Sequence, residues 1–85
     1  WLRQRISDLN EPSIKEIRGM GLMIGVEFNF ETKPLVLEML HRGVLANATA
    51  GNVLRLVPPL NISYQDLEKV LEVLKDSLIQ IKKDG

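Results

Sequence analysis

The chain has 85 residues, of which 45% are hydrophobic and 26% are charged, and its eleven basic and eleven acidic side chains cancel. This is the composition of one small globular domain rather than of a disordered tail. A net charge of zero argues against binding to nucleic acid or to an anionic membrane surface, because both need an excess of basic groups. Since there is no cysteine, disulfides, thiolate zinc sites and cysteine nucleophiles are excluded.

The N-terminal residues predict a helix with Leu2, Ile6 and Leu9 along one side. No residue in front of this helix could act as its N-cap, so we expect it to be the end of a longer helix. On this ground we expect the chain to be a C-terminal piece of a larger protein. Pro12 breaks the helix, and residues 13–18 then predict a short strand.

The clearest strand pattern runs from Leu22 to Phe30, where large apolar side chains alternate with smaller and polar ones. Gly25 lies on the less apolar face, and we expect another group to approach the backbone closely there. Glu27 lies on the same face, where solvent exposure or a structural ion pair is the default expectation. The preceding Gly19-Met20-Gly21 leads into a strand and not a helix N-terminus, which argues against a phosphate site.

A second helix is predicted to start at Thr32 as its N-cap and to stop at Gly43. Pro34 lies in its first turn, where the missing N–H costs nothing. His41 near its C-terminus favours a capping role over a metal ligand, because no cysteine or acidic cluster accompanies it. The side chains predicted to be buried are Val36, Leu37, Met39 and Leu40.

Residues 44–46 and 53–57 predict two further strands, joined by a loop of small residues at 47–52 and ended by Pro58-Pro59. A capping box at Ser63 then starts a long amphipathic helix. Its apolar stripe is Leu67, Val70, Leu71, Leu74, Leu78 and Ile81. The order helix, strand, strand, helix, strand, strand, helix predicts an α+β fold in which helices pack on a small, mainly antiparallel sheet.

Arg55 is the unusual residue of the last strand, because its neighbours are apolar on both faces. Such strands are usually covered on both sides, so the guanidinium has to reach water, an acidic partner or a ligand. Its planar fork suits a carboxylate. From the local sequence alone, we slightly favour a structural role, either at a sheet edge with the side chain extended to water or in an internal ion pair.

Three segments carry recognisable motifs, IRGMGLMIGVE at 17–27, GVLANAT at 43–49 and NVLRLVPPL at 52–60. Together they resemble segments of class III pyridoxal-phosphate aminotransferases of the ornithine and acetylornithine type. Residues 17–27 (IRGMGLMIGVE) are similar to the family's RG.GLM.G.E segment. Residues 43–49 (GVLANAT) and 52–60 (NVLRLVPPL) are similar to its GVL.N.T..NVLR..PPL segment. The likeness extends from about residue 14 to residue 74, in the family's order.

The resemblance implies that residues 1–85 are the C-terminal small domain of a larger enzyme, with residues 1–9 the end of the helix that joins it to a large domain. The implied reaction transfers the terminal amino group of N-acetylornithine, or of a related blocked ornithine or lysine, to 2-oxoglutarate in arginine or lysine biosynthesis. Arg55 matches the arginine that binds the substrate α-carboxylate, which reverses the local preference. A homodimer in the cytoplasm is also implied.

The cofactor implied by the resemblance is pyridoxal 5'-phosphate, held by the missing large domain. None of the lysines of this chain lies in a motif like that of the cofactor lysine, so we assign no catalytic, cofactor-binding or metal-binding residue and expect the isolated chain to be inactive. We also expect an apolar patch on the Arg55 side of the sheet, where the large domain would pack.

Three other functions stay open: a stand-alone interaction module, a small amino-acid-binding regulatory domain, and the small domain of a 4-aminobutyrate or other ω-aminotransferase.

Overall fold

The structure is a computed structural model that describes residues 2–20, 23–49, 51–57 and 62–84. The described residues form three helices and four strands in the predicted order. These are α1 (Leu2–Ser7), β1 (Ile14–Met20), β2 (Met23–Phe28), α2 (Lys33–His41), β3 (Asn47–Thr49), β4 (Val53–Leu56) and α3 (Tyr64–Asp84).

The four strands form one sheet in the order β1-β2-β4-β3, and every neighbouring pair is antiparallel. The helices pack against one face of this sheet, which confirms the predicted α+β fold. β1 and β2 pair in register except at a bulge between Ile14 and Glu16. In the strand order of this sheet, β4 lies in the interior between β2 and β3, and β1 and β3 are the edge strands.

The core lies between the sheet and the helices. Ile24, Val26 and Phe28 are the buried side chains of β2, as the alternation of the sequence predicts. The predicted stripe of α3 also faces the core, with Leu71, Leu74 and Leu78 buried and Leu67 and Ile81 packed at its margin. Leu2 and Ile6 of α1 close one end of the core.

The buried side of α2 differs from the prediction. Leu35 and Met39 are fully buried, whereas Leu37 and Leu40 are 57% and 50% exposed. Apolar residues are so frequent in this helix that its spacing is compatible with more than one buried face. At its N-terminal end the helix is held to the turn before β4, because the backbone N–H of Thr32 donates to the carbonyl of Gly51 at 2.8 Å.

Thr32 occupies the N-cap position but does not cap the helix with its side chain. Its buried hydroxyl lies 3.2 Å from the carbonyl oxygen of Gly51 and 3.3 Å from that of Val53, and donates to one of them at a time. The predicted side-chain cap is therefore wrong. The tertiary contact with the β3–β4 turn uses the same hydroxyl instead.

The third strand starts later than predicted, at Asn47 rather than Val44. α2 ends with Gly43 at a φ of +90° and with the N–H of Val44 donating 2.9 Å to the carbonyl of Met39, a helix-closing pattern that occupies residue 44. Val44 and Ala46 pack against the core without pairing as strand residues. The segment 47–52, which the sequence predicts as a loop, contains β3. A turn with Gly51 at a φ of +77° then leads to β4.

The predicted cap of α3 is confirmed, because the hydroxyl oxygen of Ser63 accepts a hydrogen bond from the N–H of Asp66 at 3.1 Å. The Pro58-Pro59 strand end and Leu22 of the β2 pattern lie outside the described residues.

Glu11 connects the turn after α1 to the C-terminal end of α3. Its carboxylate accepts hydrogen bonds from Lys82 at 2.6 Å and from the hydroxyl and N–H of Ser13 at 2.6 and 3.1 Å. Burial by itself would raise the pKa of Glu11, but these hydrogen bonds outweigh it and hold the pKa below its ordinary value of 4.5.

Glu11→Gln is therefore expected to reduce the stability of the fold at neutral pH and to make that stability less dependent on pH. A carboxyl whose pKa is lowered in the folded state stabilises that state above its unfolded pKa, and this contribution is lost as the pH falls through the folded pKa. Thermal unfolding of the wild type and the variant from pH 7 to pH 3 measures the effect. The two melting temperatures should converge toward the acid end, and a gap that stays constant with pH would contradict the assignment.

Candidate functional site

Arg55 lies in the interior of the sheet, on the face away from the core. Its neighbours Leu54 and Leu56 are 0% and 3% exposed, while the Arg55 side chain is exposed. Because β4 is not an edge strand, the expectation of an arginine at a sheet edge is wrong. Within the described residues Arg55 makes no ion pair, so the structure does not support an internal pair either.

Four residues form a row across the outer face of the sheet. Arg18 of β1 pairs with Gly25 of β2, Gly25 pairs with Arg55 of β4, and Arg55 pairs with Asn47 of β3. Directly opposed residues in antiparallel strands present their side chains on the same face. The two arginines therefore lie on either side of a residue without a side chain.

A group of charged side chains lies next to this row on β1 and β2. Arg18 Nη2 is 3.1 Å from Glu27 Oε1 and 2.7 Å from Glu16 Oε2, and Lys15 Nζ is 3.7 Å from Glu27 Oε2. The hydrogen bond with Glu16 raises the pKa of Arg18, and the same bond lowers the pKa of Glu16. The structural ion pair expected for Glu27 is confirmed.

The close approach expected at Gly25 is not produced by the described residues. A Cβ placed on Gly25 would lie 3.6 Å from Val53 Cγ1, an ordinary van der Waals contact. The described residues cover β4 on the core side only, and Arg55 on its outer face is exposed.

The apolar patch predicted on this face does not extend over β1 and β2, because the charged side chains of Glu16, Arg18 and Glu27 lie there. The exposed apolar side chains of this region are Val57 after β4, at 60% exposure, and Leu45 after α2, at 82%. They border a cavity of about 340 Å³ that reaches toward the first residue of α1. The described residues that line it are all apolar: Leu2, Gly43, Val44, Leu45, Leu56, Val57, Ile62, Leu67 and Val70.

His41 is exposed at the end of α2, in the position expected for a residue that interacts with the helix C-terminus. No group of three or more potential metal ligands occurs among the described residues. None of the helices in the described ranges combines the length and apolarity needed to cross a bilayer.

The lysine side chains of the described residues lie at the surface. A Schiff-base lysine has to project into an enclosed pocket, next to groups that bind the pyridine ring and the phosphate. All six lysines of the chain have exposed side chains, and none lines the apolar cavity. These residues are Lys15, Lys33, Lys69, Lys75, Lys82 and Lys83.

The family model described as aminotransferase class-III matches residues 1–78. The chain belongs to the class III aminotransferase family. This match covers every described strand and most of α3, and the resemblance read from the sequence is confirmed.

Curated members of the family are similar to the chain over most of its length. Ornithine aminotransferase 1 of Staphylococcus aureus (strain N315) is 38% identical over 76 residues, which is 89% of this chain and 19% of that protein. Acetylornithine aminotransferase of Caldanaerobacter subterraneus is 43% identical over 70 residues, which is 81% of this chain and 18% of that protein. The chain thus spans about a fifth of the length of these relatives.

Solved structures of aminotransferases share the fold. The crystal structure of N-acetylornithine aminotransferase from Stenotrophomonas maltophilia K279a superimposes with a TM-score of 0.86 at 26% identity, over 99% of this chain and 25% of that one. Ornithine aminotransferase from Toxoplasma gondii ME49 gives a TM-score of 0.78 at 29% identity, over 99% of this chain and 20% of that one. The α+β sheet with its helices is therefore a fold found in this family.

Proposed function

We propose that residues 1–85 are the C-terminal small domain of a pyridoxal-phosphate-dependent aminotransferase, and that residues 1–9 are the end of the helix that joins it to the large domain. The proposed reaction transfers the terminal amino group of N-acetylornithine, or of a related blocked ornithine or lysine, to 2-oxoglutarate. The similarity to enzymes named acetylornithine and ornithine aminotransferase supports this substrate class. The family match favours it over a stand-alone interaction or regulatory module.

The observation that carries the proposal is the exposed Arg55 on an interior strand, which makes no ion pair with any residue that the structure describes. Leu54 and Leu56 are buried in the core on either side of it, so the backbone that carries the guanidinium is held in place. A guanidinium presents two parallel N–H groups to the two oxygens of a carboxylate, which fixes the orientation of the substrate as well as its affinity. We propose that Arg55 binds the α-carboxylate of the substrate in this way.

The cofactor would be held by the proposed large domain, since this chain offers only exposed lysines. Pyridoxal phosphate, when bound, supplies the carrier chemistry by which an amino group passes between two substrates. The contribution of this chain is then to bind and orient the carboxylate at the edge of a site completed by other residues. We accordingly propose that the 85-residue chain has no transaminase activity by itself, and that the whole enzyme is a cytoplasmic homodimer in arginine or lysine biosynthesis.

A panel of amino donors tests the substrate class with the full-length enzyme that contains this chain. With 2-oxoglutarate as acceptor, we expect N-acetylornithine to give the highest kcat/KM, above ornithine, N-acetyllysine and 4-aminobutyrate. Formation of glutamate is the common readout, and the 85-residue chain assayed alone serves as the negative control. A higher kcat/KM for ornithine or 4-aminobutyrate would replace the proposed substrate but not the family, whereas glutamate formation by the isolated chain would contradict the proposed domain arrangement.

A further inference from the structure

The outer face of the sheet places one carboxylate diagonally opposite two arginines. Arg18 and Arg55 both pair with Gly25, one from each neighbouring strand, and Glu27 lies two residues further along β2. Glu27 is therefore a diagonal neighbour of both arginines. Long side chains in such diagonal positions can contact each other across antiparallel strands.

In the structure Glu27 binds on one side only. Its carboxylate is paired with Arg18 at 3.1 Å and with Lys15 at 3.7 Å, and it makes no ion pair with Arg55. Arg18 is in turn held by Glu16 at 2.7 Å. Gly25 has no side chain, so no side chain of β2 separates the two arginines, and the nearest group to the empty position is Val53 Cγ1, 3.6 Å from an added Cβ. Both ion pairs of Glu27 lie on the β1 side.

The direction of Glu27 matters for the proposed function of Arg55. A glutamate side chain carries the same chemical group as the substrate carboxylate, so an ion pair between Glu27 and Arg55 would compete with substrate. The affinity of a site falls in proportion to the fraction of molecules in which the site is free. A group that keeps Glu27 away from Arg55 thus increases the apparent affinity for substrate without contacting it.

Resting on the proposed function of Arg55, we propose that Arg18 is a positioning residue. Together with Lys15 it holds the Glu27 carboxylate on the β1 side of the sheet, so that the Arg55 guanidinium stays available for the carboxylate of the substrate. Arg18 itself does not bind substrate in this arrangement.

Arg18→Gln in the full-length enzyme is expected to raise the KM for 2-oxoglutarate by roughly two- to fivefold, the range that an exposed ion pair of Glu27 with Arg55 can produce. The kcat should stay unchanged, because the competing pair affects the free site and not the reacting complex. Lys15→Gln removes the weaker contact and should raise the same KM by a smaller factor. It provides a second test if the first variant folds poorly.

Two double variants distinguish this effect from a general loss of positive charge. Arg18→Gln combined with Glu27→Gln removes the competing carboxylate and should restore the wild-type KM. Arg18→Gln combined with Glu16→Gln has the same net charge but leaves Glu27 free to pair with Arg55, so its KM should stay high. Equal rescue by both would assign the effect to the local field and overturn the proposal.

A crystal structure of the Arg18→Gln enzyme gives an independent readout. We expect the Glu27 carboxylate to lie within hydrogen-bond distance of Arg55 in this variant, whatever the substrate is. A Glu27 that stays with Lys15, together with an unchanged KM, would overturn the positioning role. If Arg55→Ala by itself leaves the KM unchanged, the proposed function of Arg55 fails, while the crystal structure still reports whether Arg18 controls Glu27.

Discussion

Arg55→Ala in the full-length enzyme is expected to raise the KM for glutamate and 2-oxoglutarate by roughly 30- to 150-fold, which corresponds to about 2–3 kcal/mol of lost charge-assisted hydrogen bonding. The effect is large because Arg55 makes no ion pair with the described residues, so none of their carboxylates competes with a ligand for the guanidinium. Steady-state kinetics with each of the two substrates varied in turn gives the measurement.

Two variants serve as controls for this experiment. Arg55→Lys keeps the charge but loses the two-pronged geometry, so its KM should fall between those of the wild type and the alanine variant. Arg42→Ala removes an arginine that is paired with Glu38 at the end of α2 and should leave the KM unchanged. A wild-type KM in Arg55→Ala would remove Arg55 from the substrate site.

Leu35→Ala is expected to lower the free energy of unfolding by about 2–5 kcal/mol, the usual cost of truncating a buried leucine. The side chain of Leu35 in α2 is fully buried against the rest of the core. The substitution therefore leaves a cavity in a small domain whose core is thin. Urea denaturation followed by circular dichroism measures the change.

Leu37→Ala is the matched control, with the same substitution in the same helix at a side chain that is 57% exposed. Its free energy of unfolding should stay within about 0.5 kcal/mol of the wild type. Equal losses in the two variants would show that α2 is rotated differently from the structure described here. A larger loss at Leu37 would restore the buried face that the sequence pattern predicts.

The elements predicted correctly are those in which one periodicity dominates. β2 alternates strictly, and α3 carries a single apolar stripe, so only one face of each can be buried. α2 is predicted correctly as a helix, but its buried face is not, because apolar residues occupy positions on several of its sides. β3 was placed too early, because Val44 and Ala46 look like strand residues while they pack as the closing segment of a helix.

The sequence identified Arg55 as unusual but not its surroundings. Alternation alone predicts that Leu54 and Leu56 share one face of β4 and that Arg55 lies on the other face. Strand order and register do not, because they depend on pairing between segments that are far apart in the chain. The bulge between Ile14 and Glu16 shifts the register of β1 and decides which of its charged residues reach Glu27.

The sequence by itself determined the family, the α+β order of elements and the one arginine that breaks an apolar strand, because local periodicity and motif residues are properties of contiguous segments. Only the tertiary structure decided that β4 lies inside the sheet, that Arg18, Gly25 and Arg55 form one row, and that Glu27 pairs away from Arg55. These relations depend on strand order, register and the rotation of packed helices, which are set by the simultaneous burial of side chains from the whole chain.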